Sequence, residues 1–205
     1  MEFSSKILEK AVNAFATLPG VGKKTALRHV LHLIKQNDED VNVFIEALQE
    51  LKDDLTFCKN CHNISETEVC HICSNQARDQ STMCIVQDFR DVIAIERTGL
   101  YKGSYHILGG LISPMDGIGP SDLNIDTLLE KVSKGTVKEV IFAINATMEG
   151  ETTSFFLFKK LAPYSLEISA IARGIAVGEE LEYTDEVTLA RSIQQRIPFS
   201  DSIKS

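Results

Sequence analysis

The stretch FCKNCHNISETEVCHICSNQARDQ, residues 57–80, constrains the chain more than any other. It places Cys58 with Cys61 and Cys70 with Cys73 as two C-x-x-C pairs, eight residues apart. Two tight turns spaced in this way can each present two sulfurs to one tetrahedral ion. The segment carries few large apolar side chains, too few for a core of its own, so something other than burial must hold it together. Disulfides are the competing use of the same residues, but a two-residue gap and a cytoplasmic setting disfavour them. The spacing therefore predicts one zinc ion per chain, and its affinity can fold a module this small. A closed shell of four sulfurs leaves no position for water, which makes the metal structural rather than catalytic. No His-x-Glu precedes the block, as zinc deaminases require. His62 and His71 stand beside cysteines and are the alternative ligands, with simple exposure the blander reading. Cys84, outside the block in an apolar run, reads as a buried hydrophobe.

Upstream, LPGVGKKTALRH (18–29) can be read as a phosphate-binding loop of either of two kinds. A nucleotide-binding P-loop would need a glycine at Thr17 and a hydroxyl at Lys24, and would follow a buried strand. Residues 4–17 instead place Ile7, Leu8, Ala11, Ala14 and Phe15 at helical spacing. ATP binding is thus rejected here. A second helix leaves the turn with Leu27, Val30, Leu31 and Ile34 on one stripe. Between the two helices, Gly20 and Gly22 let the backbone turn and approach an anion, while Lys23, Lys24 and Arg28 surround the same spot. The functional reading is a grip on a DNA backbone; the bland one is a helical turn with a solvated basic face.

Charge supports a local rather than a global basic surface. The chain of 205 residues has a net charge of -8, which is awkward for a nucleic-acid binder. Residues 1–36, however, hold six basic side chains against two acidic ones. Weak binding by each copy would be strengthened if several copies faced one duplex. Hydrophobic content of 43% and mean hydropathy near zero indicate a globular chain. There is no apolar run of about 18 residues and no signal pattern in MEFSSKILEK, so the cytoplasm is the expected compartment.

After the polar break QNDED (36–40), Val41, Phe44, Ile45, Leu48, Leu51 and Leu55 predict another amphipathic helix, packed on the first two. From residue 81 the pattern changes to strands at 83–87, 105–110, 139–144 and 165–171, alternating with helices near 92–98, 123–132 and 152–161. Such alternation implies a parallel sheet buried on both faces. The long loop GGLISPMDGIGP (109–120) favours a functional or packing role, and residues 181–199 read as a short strand and helix. The expected architecture is a multi-domain α + α/β chain. Its parts are a helix-hairpin-helix at 1–56, a four-cysteine finger at 57–80, an α/β domain at 81–175 and a C-terminal segment at 176–205.

The turn LPGVG resembles the helix-hairpin-helix of DNA repair and recombination proteins. The segment AINATMEGETTSFFLF (143–158), which follows a strand and opens a helix, resembles the Toprim domain of topoisomerases, primases and some nucleases. The Toprim pattern places a Glu after its first strand and an Asp-x-Asp after a later one, to bind magnesium. Here those positions hold Gln87, Asn145 and Thr147. Neutral groups suit magnesium poorly, although Asp88, Glu149 and Glu151 stand nearby.

With RDVIAIERTGLYKGSYHILGGLISPMDGIGP (90–120), NATMEGE (145–151) and GEELEYTDEVTLARSI (178–193) in this order, nearly the whole chain is similar to the RecR family of bacterial recombination mediators. It departs in having Asn-Ala-Thr where the family usually has Asn-Pro-Thr, and Gln87 where most members keep a Glu. The resemblance implies a non-enzymatic DNA-binding protein of the RecBC-independent route, acting with RecO and often RecF to load RecA on gapped DNA coated by SSB. It implies a tetrameric ring built through the N-terminal helices and a swapped C-terminal segment, and association with the nucleoid during repair. It carries the DNA contacts onto Lys24 and Arg28, with Lys23 adding to the patch. Glu149 and Glu151 are expected to meet the basic RecO. Two alternatives stay open at this point: a Toprim-type metal-dependent nuclease or topoisomerase-like enzyme, and a zinc-stabilised adaptor that never touches DNA.

Overall fold

The computed structural model describes residue 3 and residues 5–202, and the chain forms two compact units, Met1–Leu55 and Thr56–Ser205. The first is helical: α1 (Lys6–Phe15), α2 (Lys23–Ile34) and α3 (Asp38–Asp53). The Oγ of Ser5 starts α1 by accepting the Leu8 N–H at 3.3 Å, and Asn37 Oδ1 does the same for α3 by accepting the Asp40 N–H at 2.8 Å. α1 and α2 close on Val12, Ala26 and Val30, flanked by Leu8, Ala11, Phe15 and Leu27. Ile7, placed on the buried stripe by its spacing, is 83% exposed, because α1 turns Val12 inward instead. The predicted packing of the third helix is also corrected. α3 buries none of its side chains, and Phe44, Ile45, Leu48 and Leu51 remain exposed. Periodicity specifies that a face is apolar but not what covers it.

The second unit begins with a small antiparallel hairpin, β1 (Thr56–Phe57) with β2 (Ile64–Ser65), and a single turn of helix, α4 (His71–Ser74). Then follow β3 (Asp79–Val86), α5 (Phe89–Arg97), β4 (Gly103–Ile107), two 3-10 turns at Pro114–Asp116 and Pro120–Asp122, α6 (Ile125–Ser133), β5 (Glu139–Ala143), α7 (Met148–Leu161) and β6 (Glu167–Ala170). The four long strands form one all-parallel sheet in the order β4-β3-β5-β6. The chain thus moves outward to β4, then crosses back to β5, and the crevice between the ends of β3 and β5 is the topological switch point. β3 starts earlier than its apolar run suggested, since Arg78 is paired to Glu96 and the Asp79 N–H is bonded to the Lys102 carbonyl at 2.9 Å.

Alternation along β3 divides the core in two. Met83 and Ile85 join Leu108, Leu128, Phe142, Leu157 and Leu161 beneath α6 and α7. Cys84 and Val86 face the other way, onto Val92 of α5 and, unexpectedly for a separate finger, onto Cys58, Cys61, Cys70 and Ile72. The cysteine module has no core of its own; it completes the second face of the sheet. Cys84 is buried, as its apolar surroundings predict.

The tail differs from its expected form. Leu181–Tyr183 is a 3-10 turn rather than a strand, followed by α8 (Glu186–Gln194) and α9 (Phe199–Ser202). A two- or three-residue extended segment needs a neighbour to pair its backbone, and the sheet edge does not reach it.

Candidate functional site

The four predicted ligands converge. The sulfurs of Cys58, Cys61, Cys70 and Cys73 all lie within 4.8 Å of one another, and those of Cys61 and Cys70 are 3.5 Å apart. A tetrahedral zinc thiolate site needs sulfurs about 3.8 Å apart, whereas a disulfide needs about 2 Å. All four cysteines are free, and the cluster fits one zinc ion. Local backbone geometry builds it: the Cys58 N–H bonds the Asn63 carbonyl at 2.7 Å, the His62 N–H bonds the Cys58 carbonyl at 2.9 Å, and the Cys70 N–H donates to Cys58 Sγ at 3.3 Å.

The thiols also oppose one another. Burial works against the Cys58 thiolate, yet backbone N–H groups of Cys70, Cys61 and Asn60 outweigh it and lower that thiol to about 7. The hydrogen bond that the Cys61 thiol makes to Cys73, and then burial, push Cys61 far upward, while burial raises Cys70 to about 11. Four such groups ionise together only around a cation.

Neither histidine joins the shell. His71 is exposed on α4. His62 takes a left-handed backbone, φ 63°, and its Nε2 lies 2.8 Å from Thr127 Oγ1 on α6. Its ring meets that of His106 edge-on at 5.3 Å. This layer of His62, His106 and Lys131 around the cysteines was not visible in the sequence, because its members lie far apart along the chain.

At the switch point, the positions that carry carboxylates in the Toprim pattern are occupied by an amide pair. Asn145 Nδ2 donates to Gln87 Oε1 at 3.2 Å, across the crevice between β3 and β5. Thr147 caps α7, its Oγ1 accepting the Gly150 N–H at 3.1 Å. A Cβ on Gly150 would stand 1.9 Å from the Asn145 carbonyl oxygen, so only glycine permits this approach of helix to strand. Two of the remaining acids, Asp88 and Glu151, are engaged elsewhere. Asp88 caps α5 and pairs with Arg90, which holds its carboxyl below the usual range. Glu151 pairs with Arg173 and lies 3.8 Å from Arg191 of α8. Among the described residues, the cysteines are the one group of three or more His, Cys, Asp or Glu arranged to hold a metal.

In the helical unit, the turn between α1 and α2 places Gly20 at φ +76°. Gly22, by contrast, is the N-cap of α2 with an ordinary extended backbone, and a Cβ there would meet nothing. Its lack of a side-chain cap leaves the first amides of α2 pointing outward, as an anion requires. Lys24 and Arg28, one turn apart, line a shallow groove of about 420 Å³ along α2 with Leu27, Leu31, His32 and Lys35. Lys23 is exposed beside it but does not line it. Among the described residues no carboxylate pairs with Lys23, Lys24 or Arg28. His32 and Lys35 extend the basic strip beyond the residues that the turn motif singled out.

A helix-hairpin-helix, a four-cysteine zinc finger and a Toprim-type parallel sheet in one chain define a zinc-containing, DNA-binding protein of recombination and repair. The comparisons with known proteins agree. Family models described as RecR helix-hairpin-helix, RecR four-cysteine zinc finger domain, Toprim domain and RecR C-terminal match residues 8–52, 55–75, 81–172 and 174–197. A protein of Flavobacterium johnsoniae named Recombination protein RecR is 58% identical over 205 residues, covering all of both chains. Proteins of the same name from Porphyromonas gingivalis and Phocaeicola vulgatus are 56% identical over 203 residues and 58% identical over 199. These cover 99% and 97% of this chain, and 98% and 97% of the relatives. The chain belongs to the RecR family. Among the described residues no helix is long and apolar enough to cross a membrane.

Proposed function

We propose that this chain is a non-enzymatic recombination mediator of the RecBC-independent route. It binds the DNA backbone without reading sequence, and acts with RecO and RecF to load RecA on SSB-coated gaps in the cytoplasm. The observation that carries the DNA reading is the strip of Lys24, Arg28 and His32 on α2 with Lys35 at its C-cap, running from an uncapped helix start and, among the described residues, without carboxylate partners. Gly20 and Gly22 shape the turn, and Lys23 adds charge at its rim. The amide pair of Gln87 and Asn145 supports a sheet that performs no phosphoryl transfer, and speaks against the nuclease or topoisomerase reading.

Assembly of four copies into a ring is supported by the exposed apolar face of α3 and by exposed Val177, Leu181, Val187 and Ile193 in the tail. It would gather several weak basic strips around one duplex. For contact with RecO, Glu149 is the better candidate of the two acids, since Glu151 is already held by arginines.

The test is binding to labelled gapped DNA across a salt series, with molar mass recorded in parallel. Lys24→Ala/Arg28→Ala is expected to weaken binding at least about tenfold and to lower the slope of log affinity against log salt by about 2 per chain. An unchanged slope would remove the hairpin from the interface and favour the adaptor reading.

A further inference from the structure

We infer that Lys131 is the counter-charge of the zinc thiolate cluster, a positioning residue that holds the metal without touching it. The inference rests on zinc in the cysteine shell. Four thiolates around a divalent ion carry a net charge of about -2, and a charge of that size removed from water must be compensated. One compensating contact is the Cys70 N–H on Cys58 Sγ. A second cation is the natural complement.

Lys131 lies on α6, half-buried, where an uncompensated ammonium is costly. Its Nζ is 3.0 Å from His106 Nδ1. On its other side, His106 Nε2 is 2.7 Å from the Asn124 carbonyl oxygen. A carbonyl can only accept, so Nε2 carries the hydrogen and Nδ1 takes the bond that Lys131 donates. His106 is fully buried, and burial first and Lys131 second hold it neutral, with its pKa lowered to about 3. A neutral imidazole orients the ammonium but cannot balance it.

No carboxylate does so either. The ion pairs among the described residues involve Lys59, Arg78, Arg90, Arg173 and Arg191, not Lys131. The anionic groups that share its surroundings are those of the cysteine cluster. Cys73, the least buried of the four ligands, lines the same cleft of about 260 Å³ as Lys131. Burial depresses the Lys131 ammonium, and the thiolates of Cys61, Cys73 and Cys58 act in the opposite direction. The cation and the cluster each supply the charge that the other lacks. α6 is thereby tied to the metal by charge as well as through the His62–Thr127 hydrogen bond.

The experiment uses the full chain. Zinc content is measured first, then the rate of zinc transfer to an excess of chelator for wild type, Lys131→Met and Lys131→Arg. Each is repeated as the cobalt form, whose sulfur-to-metal charge-transfer band reports the electron density on the thiolates. Lys131→Met is expected to release zinc about 10- to 100-fold faster, the range for residues that support metal ligands, with Lys131→Arg near wild type. The cobalt band is expected to move to lower energy in Lys131→Met alone. Lys131→Gln, polar but uncharged, repeats the comparison should Lys131→Met not fold. Equal release by the uncharged and arginine variants, or an unmoved cobalt band, would reduce Lys131 to packing and overturn the inference. Wild-type protein without zinc would overturn it together with the zinc reading.

Discussion

The cysteine cluster and the crevice at the ends of β3 and β5 are both convergences of polar side chains within one unit, yet they are built on opposite terms. At the cluster, the reactive groups are buried in the same apolar layer as Cys84, Val86, Tyr105 and Ile107, so metal and core stand or fall together. At the crevice, the backbone geometry of a metal-binding sheet is present, but an amide pair replaces its charges, with Asn145 exposed and Gln87 half-buried. A metal that carries folding energy imposes its ligands on the fold, whereas the crevice keeps its shape with neutral groups because Gly150, Thr147 and the strand ends hold it.

The largest effect expected from breaking this contrast is at the cluster. Cys61→Ser leaves buried thiolates without a complete shell, at a cost of about 4 kcal/mol, the scale of an unpaired buried charge. For a unit of this size that lowers the melting temperature by roughly 10 °C. Metal analysis and calorimetry check it, and retention of both zinc and melting temperature would separate the cluster from the core. Next comes Gly150→Ala, whose Cβ collides with the Asn145 carbonyl. Differential scanning should register a loss of about 3 kcal/mol, at the top of the range for overpacking.

Smaller still is the double change Gln87→Glu/Asn145→Asp, which puts two carboxylates where the amides meet. Repulsion should cost about 1 to 2 kcal/mol at neutral pH in the presence of a chelator, and millimolar magnesium should restore it. Denaturant midpoints with and without magnesium decide this, and a midpoint indifferent to magnesium would mean that the crevice no longer has a metal-binding shape. The mildest is Gly20→Ala, outside both sites. Its left-handed backbone makes alanine unfavourable by about 1 kcal/mol, visible in the melting of the helical unit.

Legibility in the sequence followed the range of the interaction. The cysteine spacing and the LPGVG turn are local, and both could be recognised from a dozen residues. The alternation of strands and helices also emerged, because parallel strands buried on both faces leave uninterrupted apolar runs. What lay hidden depends on residues that meet only after folding. His106 and Lys131 come from a strand and a helix beyond the finger, and nothing in YHILGG or LLEKVS marks them. Asp88 looked like a spare carboxylate beside the crevice, but the capping of α5 claims it. The face of α3 was read correctly as apolar and wrongly as covered by its neighbours.

One main-chain bond between the finger and the sheet bears on the order of events at the ribosome. The carbonyl of Cys61 receives the N–H of Ile107 at 2.9 Å. All four ligand cysteines are in the chain once residue 73 is synthesised, but that donor arrives only with residue 107. A nascent chain can therefore load its metal early and hold a half-finished module, with one face bare, until β4 is delivered. The time taken to add residues 74–107 then sets how long that bare surface persists and the chain is open to aggregation.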